Sequence, residues 1–233
     1  MKKILIGILS AIIFTTSPVI FAKEIKVPEN IYTWVQSTSR ANYFFNREQM
    51  NYKVNYDGSI DLYTLNVPAL FTYDDVQIQD VIQKRRWKNQ SLDGYNILAG
   101  RADYLTFDLK NGTVQVTRSV DLDNTLTELD SDITGEPIKL SDIPRTSVMC
   151  KFYRTILTWA QFNSDDLIKR SRGKLNARDS KLDPKDYPIN KITLPGDLPQ
   201  EQLQEDKDDE KKNTTINRTN NRRRKPNVTT QTR

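Results

Sequence analysis

Apolar and polar residues change their period along this chain, and each change marks an element. From Met50 to Tyr56, apolar Met50, Tyr52, Val54 and Tyr56 alternate with Asn51, Lys53 and Asn55, the two-residue period of a strand with one buried face. Asp57-Gly58 breaks the run, and Ile60 and Leu62 begin a return strand. A two-residue loop there would set Val54 against Asp61 and mix charge into an apolar face. A three-residue loop, Tyr56-Asp57-Gly58, instead pairs Val54 with Ile60 and Tyr52 with Leu62, with Gly58 at the positive φ of a bulge.

A second hairpin follows the same logic. Leu105, Phe107 and Leu109 share one face, Asn111-Gly112 reads as a two-residue primed turn, and the pairing sets Leu109 against Val114 and Phe107 against Val116. Ile31 to Val35 and Tyr43 to Phe45 are short apolar, aromatic runs that predict further strands of the same sheet.

Two segments switch to helical spacing. Between Tyr73 and Lys88, Asp74 and Gln77 form a capping box, and Ile78, Val81, Ile82 and Arg85 follow on one side. The acidic start and basic end complement the helix dipole. From Ser147 to Phe162 the residues Met149, Phe152, Tyr153, Ile156, Leu157 and Ala160 form one stripe. Ser164 then caps a shorter helix carrying Leu167 and Ile168, closed at Gly173. The expected class is α+β: an antiparallel sheet of hairpins with two or three helices on one face.

The ends of the chain read differently. Met1-Lys2-Lys3, an apolar run from Ile4 to Phe14, Pro18 and the small residue Ala22 have the form of a secretory leader, residues 1–22, cleaved after Ala22. The apolar run is too short for a bilayer core that needs roughly 20 residues, and no later stretch approaches that length. Residues 23–175 then form one globular domain. Pro184, Pro188, Pro195 and Pro199 mark 176–200 as an extended, loosely packed linker. Residues 201–233 read as a disordered tail, first acidic (Asp206, Asp208, Asp209, Glu210), then basic (Arg222, Arg223, Arg224, Lys225).

Composition narrows the chemistry. The chain has no histidine and one cysteine, which excludes Ser-His-Asp and Cys-His catalysis, histidine-ligated zinc and any thiolate cluster within one chain. No cofactor motif is present, so none is expected. Cys150 lies within the helical stripe and reads as a buried thiol. The formal charge is +5, of which Lys2 and Lys3 leave with the leader.

Four local patterns carry candidate chemistry. Asp121-Leu122-Asp123-Asn124-Thr125-Leu126 resembles the first motif of the haloacid dehalogenase phosphatases, in which the first Asp attacks phosphorus and the second is acid and base. The resemblance covers six residues. That family sets the motif at the end of a buried parallel strand with magnesium ligands downstream, whereas Val114 and Val116 alternate with polar residues here. Asp130, Asp132, Thr134 and Gly135 match the first half of a calcium loop, but the twelfth position falls on Ser141 where a bidentate Glu is required.

Lys84, Arg85, Arg86 and Trp87, continued by Lys88, form a basic aromatic cluster suited to an anionic polymer. Arg222, Arg223, Arg224 and Lys225 form a second, on a tail able to adapt to an anionic envelope polymer or membrane surface. An exported chain has no genomic nucleic acid to meet. The reading is thus an extracytoplasmic interaction domain of periplasm, wall or medium. The alternative is a carboxylate-dependent hydrolase using a pair among Asp74, Asp75, Asp80, Asp103, Asp121 and Asp123, with Arg85 or Arg86 holding an anionic substrate.

Overall fold

The computed structural model describes residues 25–133 and 135–197. The expected leader, the expected tail and the Arg222–Lys225 cluster lie outside the described residues. The class is α+β, with an eight-stranded antiparallel sheet and four α-helices among the described residues. In chain order the elements are β1 (Tyr32–Ser37), β2 (Ala41–Asn46), β3 (Asn51–Val54), β4 (Ile60–Tyr73), α1 (Asp75–Trp87), β5 (Leu98–Asp108), β6 (Thr113–Asp123), β7 (Glu128–Ile133), β8 (Ile138–Lys139), α2 (Val148–Phe162), α3 (Ser164–Arg170) and α4 (Pro188–Lys191). Strands follow the order β1-β2-β4-β5-β6-β7, with β3 also paired to β4 and β8 to β6. No helix among the described residues is long and apolar enough to cross a membrane.

Chain contacts divide the described residues into two compact units. The first holds residues 25–46, 69–103 and 118–133. The second holds residues 47–68, 104–117 and 135–197. Strands β4, β5 and β6 each give one segment to either unit.

In the first unit, Leu70, Val120 and Leu122 are buried on one sheet face against Val27, Tyr32, Phe44, Ala102 and Leu126. A separate cluster joins Ile78 and Ile82 of α1 to Tyr95 and Leu98, with Tyr73, Val81, Leu92 and Leu129 around it. The predicted cap holds α1 in place: the Asp74 carboxylate accepts from the Gln77 backbone N–H at 2.7 Å. Gly100 is required on β5, because a Cβ there would collide with the Phe71 carbonyl oxygen and crowd Ile25.

In the second unit α2 buries Phe152, Tyr153, Ile156, Leu157 and Ala160, the stripe read from the sequence. Ser147 caps it through the Met149 N–H, and Tyr153 meets Phe107 edge to face at 5.7 Å. Cys150 is buried, as expected. Helix α3 departs from expectation: Ser164 is its buried first residue, and the left-handed turn after it falls on Arg172. Gly173 serves instead as a close approach, since a Cβ there would lie 2.7 Å from Ile60 Cγ1.

The first hairpin keeps its predicted loop. Val54 pairs with Ile60 and Gly58 takes φ of 79°. Tyr52 pairs with Leu65 instead of Leu62, because Asp61 turns its carboxylate onto the Tyr63 N–H and the Thr64 hydroxyl and bulges the strand out of register. In the second hairpin four residues, Leu109–Gly112, separate the strands in place of a two-residue turn. Asp108 accepts from the N–H groups of Lys110 and Asn111 and closes the wider turn first.

The segment expected as a loose linker is packed up to Asp197. Tyr187, Pro188 and Ile189 are buried, Gln161 donates to the Ile189 carbonyl, and Arg154 reaches both the Pro195 carbonyl and Asp197 at 2.6 Å. The prolines misled because Pro184 and Pro188 stand in the first turn of short helices, where a missing N–H costs nothing.

Replacing Gly100 by Ala should lower the urea midpoint by the equivalent of about 1–3 kcal/mol or more, since backbone blocks the added methyl. Phe162→Ala, at a side chain 85% exposed, should stay within about 0.5 kcal/mol of the parent.

Candidate functional site

Helix α1 decides what the first unit shows to solvent, and one guanidinium sets its last turn. Asp121 of β6 stands directly opposite Asp130 of β7, an arrangement that repels unless a cation intervenes. Arg85 supplies it. Its Nη2 donates to Asp130 at 2.7 Å and its Nη1 lies 3.9 Å from Asp121, while Nε donates to the Ser91 carbonyl at 3.0 Å. Its plane sits 4.1 Å from the centre of the Tyr95 ring, and the Tyr95 hydroxyl donates to Asp121 at 2.7 Å. Arg85 is therefore buried and committed to structure, which removes it from the expected binding cluster.

The titration of these groups follows from their surroundings. Burial raises the Asp121 carboxyl, against the lowering effects of the Tyr95 hydroxyl and the Arg85 charge. Asp130 is held low by the hydrogen bond from Arg85. Burial and the hydrogen bond to Asp121 push the Tyr95 phenol up, and burial raises Tyr73 to about 12.

With Arg85 turned inward, Lys84, Arg86, Trp87 and Lys88 remain outside. Trp87 is 79% exposed, a costly position for a large indole. The helix dipole favours cations here, and the Lys88 N–H closes the helix onto the carbonyls of Lys84 and Arg85. The result is a cationic tip crowned by one aromatic ring.

The carboxylates considered for hydrolysis each have a structural partner. Asp74 caps α1, and Asp75 forms its first residue. Asp80 pairs with Arg40 at 3.3 Å on the surface. Asp103 is buried, accepting from the Ser119 hydroxyl at 2.6 Å and from Arg101 at 3.0 Å. Asp123 accepts from the Thr125 hydroxyl and from the N–H groups of Thr125 and Thr127. Burial raises its carboxyl, and these donors outweigh that and leave it low. Six residues that resemble a phosphatase motif thus form the end of an antiparallel strand and a tight turn, with Leu126 at φ of 66°.

The calcium reading is corrected too. Asp130 and Asp132 belong to strand β7 and Asp130 is bound to Arg85, so the stretch is extended where a calcium loop must curl. No group of three His, Cys, Asp or Glu side chains among the described residues is placed to hold a metal ion. Sequence reasoning missed Tyr95, whose role shows only when β6 brings Asp121 to it. It also missed a groove beside β1 and β2, although Tyr32 and Trp34 alternate on a strand with no charged residue. The chain matches no protein-family model, no curated protein and no solved structure.

Arg85→Met should cost about 3 kcal/mol, because it leaves two opposed carboxylates without their cation. The sign with pH follows from the shifts. Asp130, held low, stabilises the fold above the usual carboxylate range and loses that contribution as pH falls through it. Asp121, held high, works the other way and costs stability as pH rises through the same range. Urea midpoints at neutral and acid pH should show the deficit of the variant greatest at neutral pH and shrinking as both carboxylates protonate.

Proposed function

We propose that this protein is exported and works as a non-enzymatic interaction domain that holds to an anionic surface of the cell envelope. The single observation that carries the reading is the tip of α1, where Lys84, Arg86 and Lys88 surround the exposed Trp87. Lysine and arginine attract an anionic surface over a Debye length, and an indole with an apolar body and a polar N–H suits the boundary between headgroups and water. The leader-like N-terminus supports export, and the Arg222–Lys225 cluster offers a second cationic site on the same chain. Two sites on one chain reinforce each other through effective concentration. A hydrolase built on the buried aspartates draws no support from carboxylates that each already have a structural partner.

Co-sedimentation with phosphatidylglycerol-rich vesicles tests this. At low salt the chain should sediment with them, and it should leave them at high salt or when the vesicles are pure phosphatidylcholine. Replacing Lys84, Arg86 and Lys88 by Ala should weaken the interaction roughly a hundredfold, at about 1 kcal/mol for each cation near the surface. Deleting residues 200–233 should weaken it separately. Equal sedimentation of the parent, the triple variant and the truncated chain would contradict the proposal.

A further inference from the structure

The first unit carries a second surface whose chemistry differs from that of the cationic tip. A groove of about 630 Å³ lies between the segment Ile25–Glu29 and the exposed face of β1, β2 and β4, within the size range of ligand pockets. Two rows cross its floor from strand to strand. The first is apolar: Trp34 of β1 stands opposite Phe44 of β2, with Tyr32 and Val27 beside them. The second is polar: Asn42 of β2 stands opposite Thr72 of β4, with Ser37 of β1 next to Asn42 outside the groove lining.

Hydrogen bonds orient the polar row and tie it to the aromatic one. Trp34 Nε1 donates to Ser37 Oγ at 3.2 Å, Ser37 Oγ donates to Asn42 Oδ1 at 2.6 Å, and Asn42 Nδ2 donates to Thr72 Oγ1 at 3.0 Å. The indole N–H is thus spent within the protein, and Trp34, 58% exposed, offers a ring face to a ligand. Asn42 keeps its second amide proton and Thr72 its own hydroxyl proton for a ligand acceptor. The two charges at the groove, Lys26 and Glu29, cancel.

We infer that this groove binds an uncharged glycan chain. A pyranose ring has an apolar C–H face and an edge of hydroxyls, matching one row to stack on and a parallel row to hydrogen-bond. A hydrocarbon occupant would leave the oriented amide and hydroxyl unmet, and that loss is the larger one in a covered site. An anionic polymer finds no net charge here, so the groove and the tip select different parts of an envelope. This inference stands independently of the tip, because none of its residues belongs to α1.

The test is calorimetric titration of the full chain with cellohexaose, chitohexaose and mannohexaose, with hexagalacturonate as the anionic probe and a peptide of residues 4–22 as the apolar one. At least one neutral hexasaccharide should bind saturably. Trp34→Ala should weaken it about tenfold or more and Asn42→Ala by a similar factor. Trp34→Phe should retain most of the affinity, and the Lys84, Arg86, Lys88 triple variant should bind as the parent does. Circular dichroism and urea midpoints of the Trp34 variants separate lost binding from lost folding. The inference is overturned if none of the neutral hexasaccharides binds, or if Trp34→Ala binds with unchanged affinity. Preference for hexagalacturonate, or binding of the peptide alone, would also overturn it.

Discussion

Two aspartates face each other across neighbouring strands, and the first unit depends on the cation brought between them. Asp121 and Asp130 would repel at that spacing, so the edge of the sheet formed by β6 and β7 needs Arg85. Supplying it fixes the last turn of α1, because the guanidinium is held by two carboxylates, the Ser91 carbonyl and the face of Tyr95. A helix pinned at that one residue has no freedom to turn its neighbours inward. Lys84, Arg86, Trp87 and Lys88 are displayed as a consequence of how the sheet edge is neutralised.

The same economy accounts for the acidic residues that look catalytic in the sequence. A general acid or base needs a carboxyl with capacity to exchange a proton with a ligand. Asp103 is closed by Ser119 and Arg101, Asp121 by Tyr95 and Arg85, and Asp123 by the turn it stabilises. What the first unit leaves exposed is instead two indoles, cations at a helix end, and an amide-hydroxyl row.

Much of the fold was legible where periodicity is strong and local. The stripe on α2, the Asp74 and Ser147 caps, and the loop at Gly58 follow from spacing and turn chemistry alone. Legibility failed where a side chain's bonds to neighbouring backbone overrode the apolar alternation. The Asp61 carboxylate shifts the register of β3 on β4, and Asp108 widens the second turn. Prolines read as punctuation proved to start short helices around Ile189. For the site, the sequence offered five basic-cluster residues in a row, Lys84 to Lys88, and helical spacing set Arg85 on the side of Ile78 and Ile82 without showing what a cation would meet there. The partner is Asp130, forty-five residues away.

On the proposed function, Trp87 itself enters the anionic surface. A chain with Trp34 and Trp159 replaced by Phe leaves Trp87 as its only tryptophan, and its emission can be followed on anionic vesicles with brominated acyl chains. A blue shift with quenching at low salt, reversed at high salt, is the predicted result. Binding with Trp87 emission unchanged and unquenched would contradict it, because the indole would then be remaining in water while another part of the chain did the holding.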